Sequence, residues 1–273
     1  MGCRVAKTFN EILKFNPYHD SLGRFATAGG ASSFTIRTKD PKKQYLADLS
    51  IARAKEQHAT ALQTETKQKE DALHPKTLAG VSRGKEMSFE EANEGRTNPN
   101  YSKGGRYTVN CQTCVIANEA RRRGYDVTAR PRDTVQADAI AKNQRLAWID
   151  PKTGTHPDYM KGSTEITTAK KAKQYLDDNL KVGERYTMGF AWKGRRNTGH
   201  IINAFKDTDG NVKFYDPQNG KQMSGNEVDM YLDRIKYQKT FNGTKHTMGL
   251  RILRIDDKQF NASMVNKILM KGE

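Results

Sequence analysis

The pattern of apolar residues changes at His74-Pro75, and that change decides where this chain can build a core. Before it, Gln44 to Leu73 reads QYLADLSIARAKEQHATALQTETKQKEDAL, rich in Ala, Gln, Glu and Lys, with few apolar residues after Leu62. Such a stretch forms a solvated helix, or one awaiting a partner. Pro75 closes it, because the residue before a proline is pushed out of helical backbone. Further upstream, Phe15 to Gly30 reads FNPYHDSLGRFATAGG, where turn formers and small residues give an irregular segment. The expected division is an irregular and helical linker over residues 1–75 and a folded domain over 76–273. A chain of 273 residues has room for one sizeable domain and an extension.

Charge narrows the partners. Lys and Arg number 47 against 31 Asp and Glu, a net charge of +16. Neutralising phosphates would make nucleic acid a natural ligand, but the basic residues are spread along the whole chain, as in Arg121-Arg122-Arg123 and Lys170-Lys171. No zinc-finger or RNP1-like pattern accompanies them. Solvated surface charge, or attraction to an acidic partner, is favoured over nucleic acid. No run of about 18 apolar residues exists, so no membrane span is expected. Met1-Gly2-Cys3-Arg4 opens neither a secretory signal nor a myristoylation motif, since Ala6 stands where the latter wants Ser or Thr. Three cysteines, Cys3, Cys111 and Cys114, fit a reducing compartment or thiol chemistry, not a disulfide scaffold.

From Thr77 onward, local signals place elements. Ser88 and Glu91 form a capping box for a short helix over 88–94. Asn110 is a good N-cap and Gly124 a good C′ residue for a helix between them. Tyr125–Ala129, Arg185–Trp192, His200–Phe205, Val212–Tyr215 and Leu250–Ile255 read as strands, and Thr168–Leu180 and Asn226–Tyr237 as helices. An early helix and a late, mostly antiparallel sheet give an α+β fold.

Three stations carry possible chemistry. Cys111 falls on the first turn of its helix, where unpaired N–H groups and the positive dipole end favour a thiolate. Cys114, one turn further into an apolar run, reads as a buried small hydrophobe. The C-x-x-C spacing alone also admits two inert core cysteines, a redox pair or half a zinc knuckle. His200 opens a strand after a polar loop. Lys206 to Asn211 joins that strand to the next, and a three-residue Thr208-Asp209-Gly210 turn would make facing positions sum to 418. Ile202 then faces Asp216, and Asp216 is a diagonal neighbour of His200 on the same face. A thiol, an imidazole and a carboxylate in this order follow the logic of a nucleophilic triad. Trp192 reads as core packing more than as a cleft wall. Asp150 sits in a plain loop, and His19, His58, His156 and His246 lack supporting neighbours.

The segments NCQTCVIANEARRRGYDVTARP (Asn110–Pro131), GHIINA (Gly199–Ala204) and FYDPQNGK (Phe214–Lys221) resemble papain-like-fold toxins of the polymorphic toxin class, cysteine enzymes read as protein deamidases or peptidases. The resemblance spans Leu78 to Leu269. It implies a papain-like fold, with the nucleophile-bearing helix packed on the sheet. Its nucleophile would be Cys111, its base His200 and its orienting carboxylate Asp216. Gln218, Asn110 and Gln112 are accessory or oxyanion candidates, because no Gln stands in Arg106–Asn110 to serve as in papain-type proteases. The implied function is a toxin effector that deamidates glutamine side chains of proteins, with peptide hydrolysis as the alternative and a basic nuclease or nucleic-acid-binding phage head module as the reading from another class. No cofactor or metal is implied. FNPYHDSLGRFATAGG separately resembles the C-terminal tail of phage minor head proteins. It implies phage head or portal components as partners, a location in the virion or the producing cell, and action in the target-cell cytoplasm. A cognate immunity protein is implied as well.

Overall fold

The computed structural model describes residues 40–93, 95–194 and 198–272, apart from the side chains of 66, 67 and 69–72. The stretch Phe15–Gly30, with Cys3 and His19, lies outside the described residues. The chain divides into two compact units, Met1–Thr64 and Glu65–Glu273.

Helix α1, Pro41–Leu73, starts three residues before the pattern suggested. Asp40 accepts from the amides of Lys42 and Lys43, and Pro41 takes the first helical position, where a missing N–H costs nothing. No helix among the described residues is long and apolar enough to cross a membrane.

The second unit is α+β. Its elements run β1 (Thr77–Leu78), β2 (Val81–Ser82), α2 (Phe89–Asn93), α3 (Cys111–Arg122), β3 (Val127–Ala129), α4 (Val135–Lys142), β4 (Trp148–Ile149), α5 (Ala169–Asn179), β5 (Arg185–Ala191), β6 (Gly199–Lys206), β7 (Val212–Asp216), β8 (Lys221–Met223), α6 (Asn226–Asp233), β9 (Gln238–Phe241), β10 (Thr244–Thr247), β11 (Arg251–Arg254), β12 (Gln259–Phe260), α7 (Ala262–Val265) and β13 (Leu269–Lys271). Five strands form one antiparallel sheet in the order β11-β5-β6-β7-β8.

Alternation along the strands splits the core in two. On one face Ile201 and Leu253 pack with Val115, Ile116, Ala117 and Ala120 of α3. On the other, Met188, Phe190, Ile202, Ala204 and Phe214 pack with Leu176 of α5 and Val228 and Leu232 of α6. Adjacent Ile201 and Ile202 therefore serve opposite layers, each burial contributing about 1.5–3 kcal/mol. Two short ladders, β3 with β13 and β4 with β12, fasten the end of the chain to its early part.

Local signals set the ends. Ser88 and Glu91 exchange both bonds of the capping box, the Ser88 amide donating to Glu91 Oε2 at 2.7 Å and the Glu91 amide to Ser88 Oγ at 3.1 Å. α3 closes with the amide of Gly124 on Arg121 O and that of Tyr125 on Ala120 O, the double bond of a Schellman motif. Gly124 has φ +94°, and a Cβ there would lie 2.5 Å from Gly84 O, so only glycine fits.

Two expectations change. The helix expected over Asn226–Tyr237 stops at Asp233, because Ile235 leaves it to bridge Trp192 at the end of β5. The Arg121-Arg122-Arg123 run is not solvated charge, since Arg121 and Arg123 are fully buried. Arg121 donates to Ala92 O and Asp126, and Arg123 to Glu119, Leu73 O, Ile255 O and Lys258 O. Every polar atom is answered, which lets two cations sit in the core.

Candidate active site

The β6–β7 hairpin sets the frame. Observed partners Asn203↔Tyr215, Ala204↔Phe214 and Lys206↔Val212 each sum to 418, the register expected from a three-residue turn. The turn closes with the Gly210 amide on Asp207 O, and Gly210 has φ +82°. This register puts His200 and Asp216 on one face, and His200 Nε2 donates to Asp216 Oδ2 at 2.8 Å.

The turn after β7 holds the carboxylate from behind. Asp216 Oδ1 accepts from the Gln218 amide at 3.1 Å, and Oδ2 accepts from Asn219 Nδ2 at 3.1 Å. The Cys111 thiol also acts on the ring, both as a bond partner and as a charge. Burial, the largest influence, disfavours a charged imidazole. The bonds and charges of Asp216 and Cys111 outweigh it and hold His200 up at about 10.

Cys111 is the first residue of α3 and is partly exposed. The amides of Thr113 and Cys114 bond back to Asn110 O, so the Cys111 and Gln112 amides stand open at the helix start. Cys114 is fully buried, and burial pushes its thiol well above its ordinary range. That leaves Cys111 as the thiol available to a substrate. No group of three or more His, Cys, Asp or Glu side chains among the described residues is placed to hold a metal ion.

Asn110 holds the N-cap position, but its side chain does not cap. Its amide joins a buried cluster instead. Asn110 Nδ2 donates to Asn98 Oδ1 and Arg130 O, and Asn110 Oδ1 accepts from Gln218 Nε2 at 3.2 Å. Asn98 Nδ2 in turn donates to Gln218 O at 2.9 Å and to Tyr107 O at 3.0 Å. Three amides thus pin the residue before Cys111 to the turn that holds Asp216. Gln112 Oε1 is buried without a hydrogen-bond partner.

Trp192 packs against the second core layer as expected and also faces His200. It is half-buried and stacks on the imidazole of His200, ring centres 5.9 Å apart and 22° between planes. Tyr231 packs edge-on against it at 5.3 Å, and the Arg234 guanidinium lies 4.9 Å over its face. Sequence reasoning missed Asn98, Asn219 and Tyr231. Asn98 lay in an Asn- and Gly-rich loop, where a buried amide looks like any turn residue.

Behind the site, Glu119 anchors α3. Its Oε1 accepts from Arg123 at 2.7 Å and from Arg185 Nη2 at 2.8 Å, and its Oε2 accepts from Arg185 Nε at 2.7 Å. Burial opposes its charge, yet the two guanidiniums draw the carboxyl down to about 2. Helix α3 is thereby tied to β5.

Residues 109–221 match the model of a family described as papain fold toxin 1, glutamine deamidase. No curated protein matches the sequence. The matched stretch contains Cys111, His200, Asp216 and Gln218, and the match supports a toxin with glutamine deamidase activity, a hydrolase acting on protein glutamine.

Proposed function

We propose that Cys111, His200 and Asp216 form the triad that deamidates the substrate glutamine. The observation that carries this reading is the His200–Asp216 bond of 2.8 Å, made by a ring whose charged form the Cys111 thiol at the helix start also supports. The Cys111 thiolate attacks the carboxamide carbon. Charge developing on the oxygen is met by the open Cys111 and Gln112 amides. Both Asn110 hydrogens are spent on Asn98 and Arg130, so Asn110 serves by holding the helix start and Gln218 by bracing the turn. His200 gives its proton to the departing nitrogen, which leaves as ammonia and a thioester on Cys111. Water then attacks the thioester with His200 taking its proton, releasing glutamate and the free thiol. Asp216 fixes the ring tautomer throughout.

Hydrolysis of a side-chain amide leaves the substrate backbone whole. Intact mass of a deamidated protein therefore rises by about one dalton per glutamine, whereas peptide hydrolysis gives fragments. Cys111→Ala should remove activity by a factor of about 10⁴ or more while the fold persists. Full activity in that variant would end the assignment.

The finer placement follows from resemblance. The toxin acts inside a target cell, and its producer carries a neutralising immunity protein. The likeness of Phe15–Gly30 to phage minor head proteins supports delivery with a phage head. Detection of the chain in purified virions tests that route.

A further inference from the structure

From Arg234 to Arg251 the chain contains no Asp or Glu, but it carries Lys236, Lys239, Lys245 and His246 between those two arginines. This stretch forms the β9–β10 hairpin. Gln238, Lys239, Thr240 and Phe241 pair with Thr247, His246, Lys245 and Thr244, and all eight are exposed. Asn242 and Gly243, with φ +47° and +75°, make the tight turn of a twisted ribbon. A two-stranded ribbon that buries none of its side chains is marginal by itself. Its face carries Phe241, 64% exposed, beside Lys239 and His246 directly opposite each other. No ion pair among the described residues engages Lys239, Lys245 or His246.

Its mounting links it to the chemistry. Ile235 bridges Trp192, the Lys236 amide donates to Ala191 O at 2.8 Å, and the chain returns to the sheet at Arg251, opposite Gly189. The hairpin therefore leaves the sheet at the level of residues 189–192. His200 stands at that level on β6, paired with Phe190. Two strand spacings, about 10 Å, separate the root of the hairpin from the imidazole, with Trp192 between them on the His200 ring.

We propose that the β9–β10 hairpin is a docking arm that seats an acidic surface of the protein substrate beside Cys111 and His200. Positive side chains with no negative neighbours select the charge of the partner, and Phe241 supplies an apolar anchor. A ribbon about 13 Å long reaches beyond the glutamine itself and contacts the folded surface around it. A second copy of the chain, with the same charges, is disfavoured. The proposal rests on the deamidase reading for its substrate, but its test reads binding.

The test uses the full chain carrying Cys111→Ala and two fluorescent peptides, one with a single glutamine among aspartates and one with lysines in their place. Anisotropy should show tighter binding of the acidic peptide, weakened by salt. Lys239→Glu with His246→Glu, which share the Phe241 face, should weaken it about tenfold, as rim attractions become repulsive. The same reversal at the exposed Lys170 and Lys171 of α5 should leave it nearly unchanged. Equal losses from both pairs, or none from the hairpin pair, would overturn the proposal. So would duplex DNA that loses affinity on the hairpin change while the acidic peptide does not. With Cys111 intact, the hairpin variant should release ammonia from a neutral glutamine dipeptide at the unmodified rate. Absence of ammonia from the unmodified chain would count against the triad and leave the binding result standing.

Discussion

Glu119→Gln isolates the anchor of the nucleophile helix. A carboxyl held at about 2 instead of 4.5 favours its charged form by about 3 kcal/mol. Because the folded state lowers this pKa, its contribution is fully present above about pH 4.5 and is lost as the pH falls toward 2. Glutamine keeps the size of the side chain but leaves Arg123, with no exposed surface, facing a neutral amide. Breaking a buried pair in this way costs about 3–5 kcal/mol, and the three carbonyls that Arg123 also reaches place the expected loss at the lower end. Urea unfolding at pH 7, followed by tryptophan fluorescence, should show a midpoint lower by about 1 M or more. Trp148 is a fitting reporter, since the Arg123 guanidinium lies 5.8 Å from its ring centre. Between pH 5 and 2 the unmodified protein should lose about 3 kcal/mol that the variant has already lost. A loss under about 1 kcal/mol at pH 7, or parallel acid curves for both proteins, would refute the reasoning.

Other expectations follow from the same geometry. Asp216→Ala removes the larger of the two supports of the imidazolium, so the alkaline fall of kcat/KM should move from about pH 10 toward 6.5, read from a rate profile on a glutamine dipeptide. The sign follows from a raised pKa, whose charged form is lost as the pH rises through it. Trp192→Ala removes three ring contacts, with Phe190, His200 and Tyr231, and the Arg234 contact, which together should cost about 3 kcal/mol in urea unfolding and uncover one face of His200. Cys114→Ala should cost about 1–3 kcal/mol and keep deamidation measurable by ammonia release, in contrast to Cys111→Ala. Asn98→Ala, which cuts the tie to Gln218 O, should lower kcat more than it raises KM, read from ammonia release against dipeptide concentration.

Short-range signals carried the frame of the site. The register between β6 and β7 was legible because turn length and the period of two leave little freedom once Gly210 is left-handed. The capping box at Ser88 and the glycine stop at Gly124 are equally local. What lay hidden depends on tertiary contact. Arg121 and Arg123 look like surface charge until Glu119, Asp126 and distant carbonyls surround them. The Asn98–Asn110–Gln218 cluster joins positions up to 120 residues apart, and no spacing rule announces it. The β9–β10 hairpin is a different case. Its Asn242-Gly243 turn signal stood in plain view, but without flanking apolar alternation the segment between the helix expected to end at Tyr237 and the strand from Leu250 suggests no element of its own.

The two short ladders bear on when the enzyme can come into being. Cys111, His200 and Asp216 have all left the ribosome before β12 pairs with β4 and β13 closes on β3. A growing chain therefore carries Cys111, His200 and Asp216 before these ladders form, and the proposed triad relies on later strands for the packing around it.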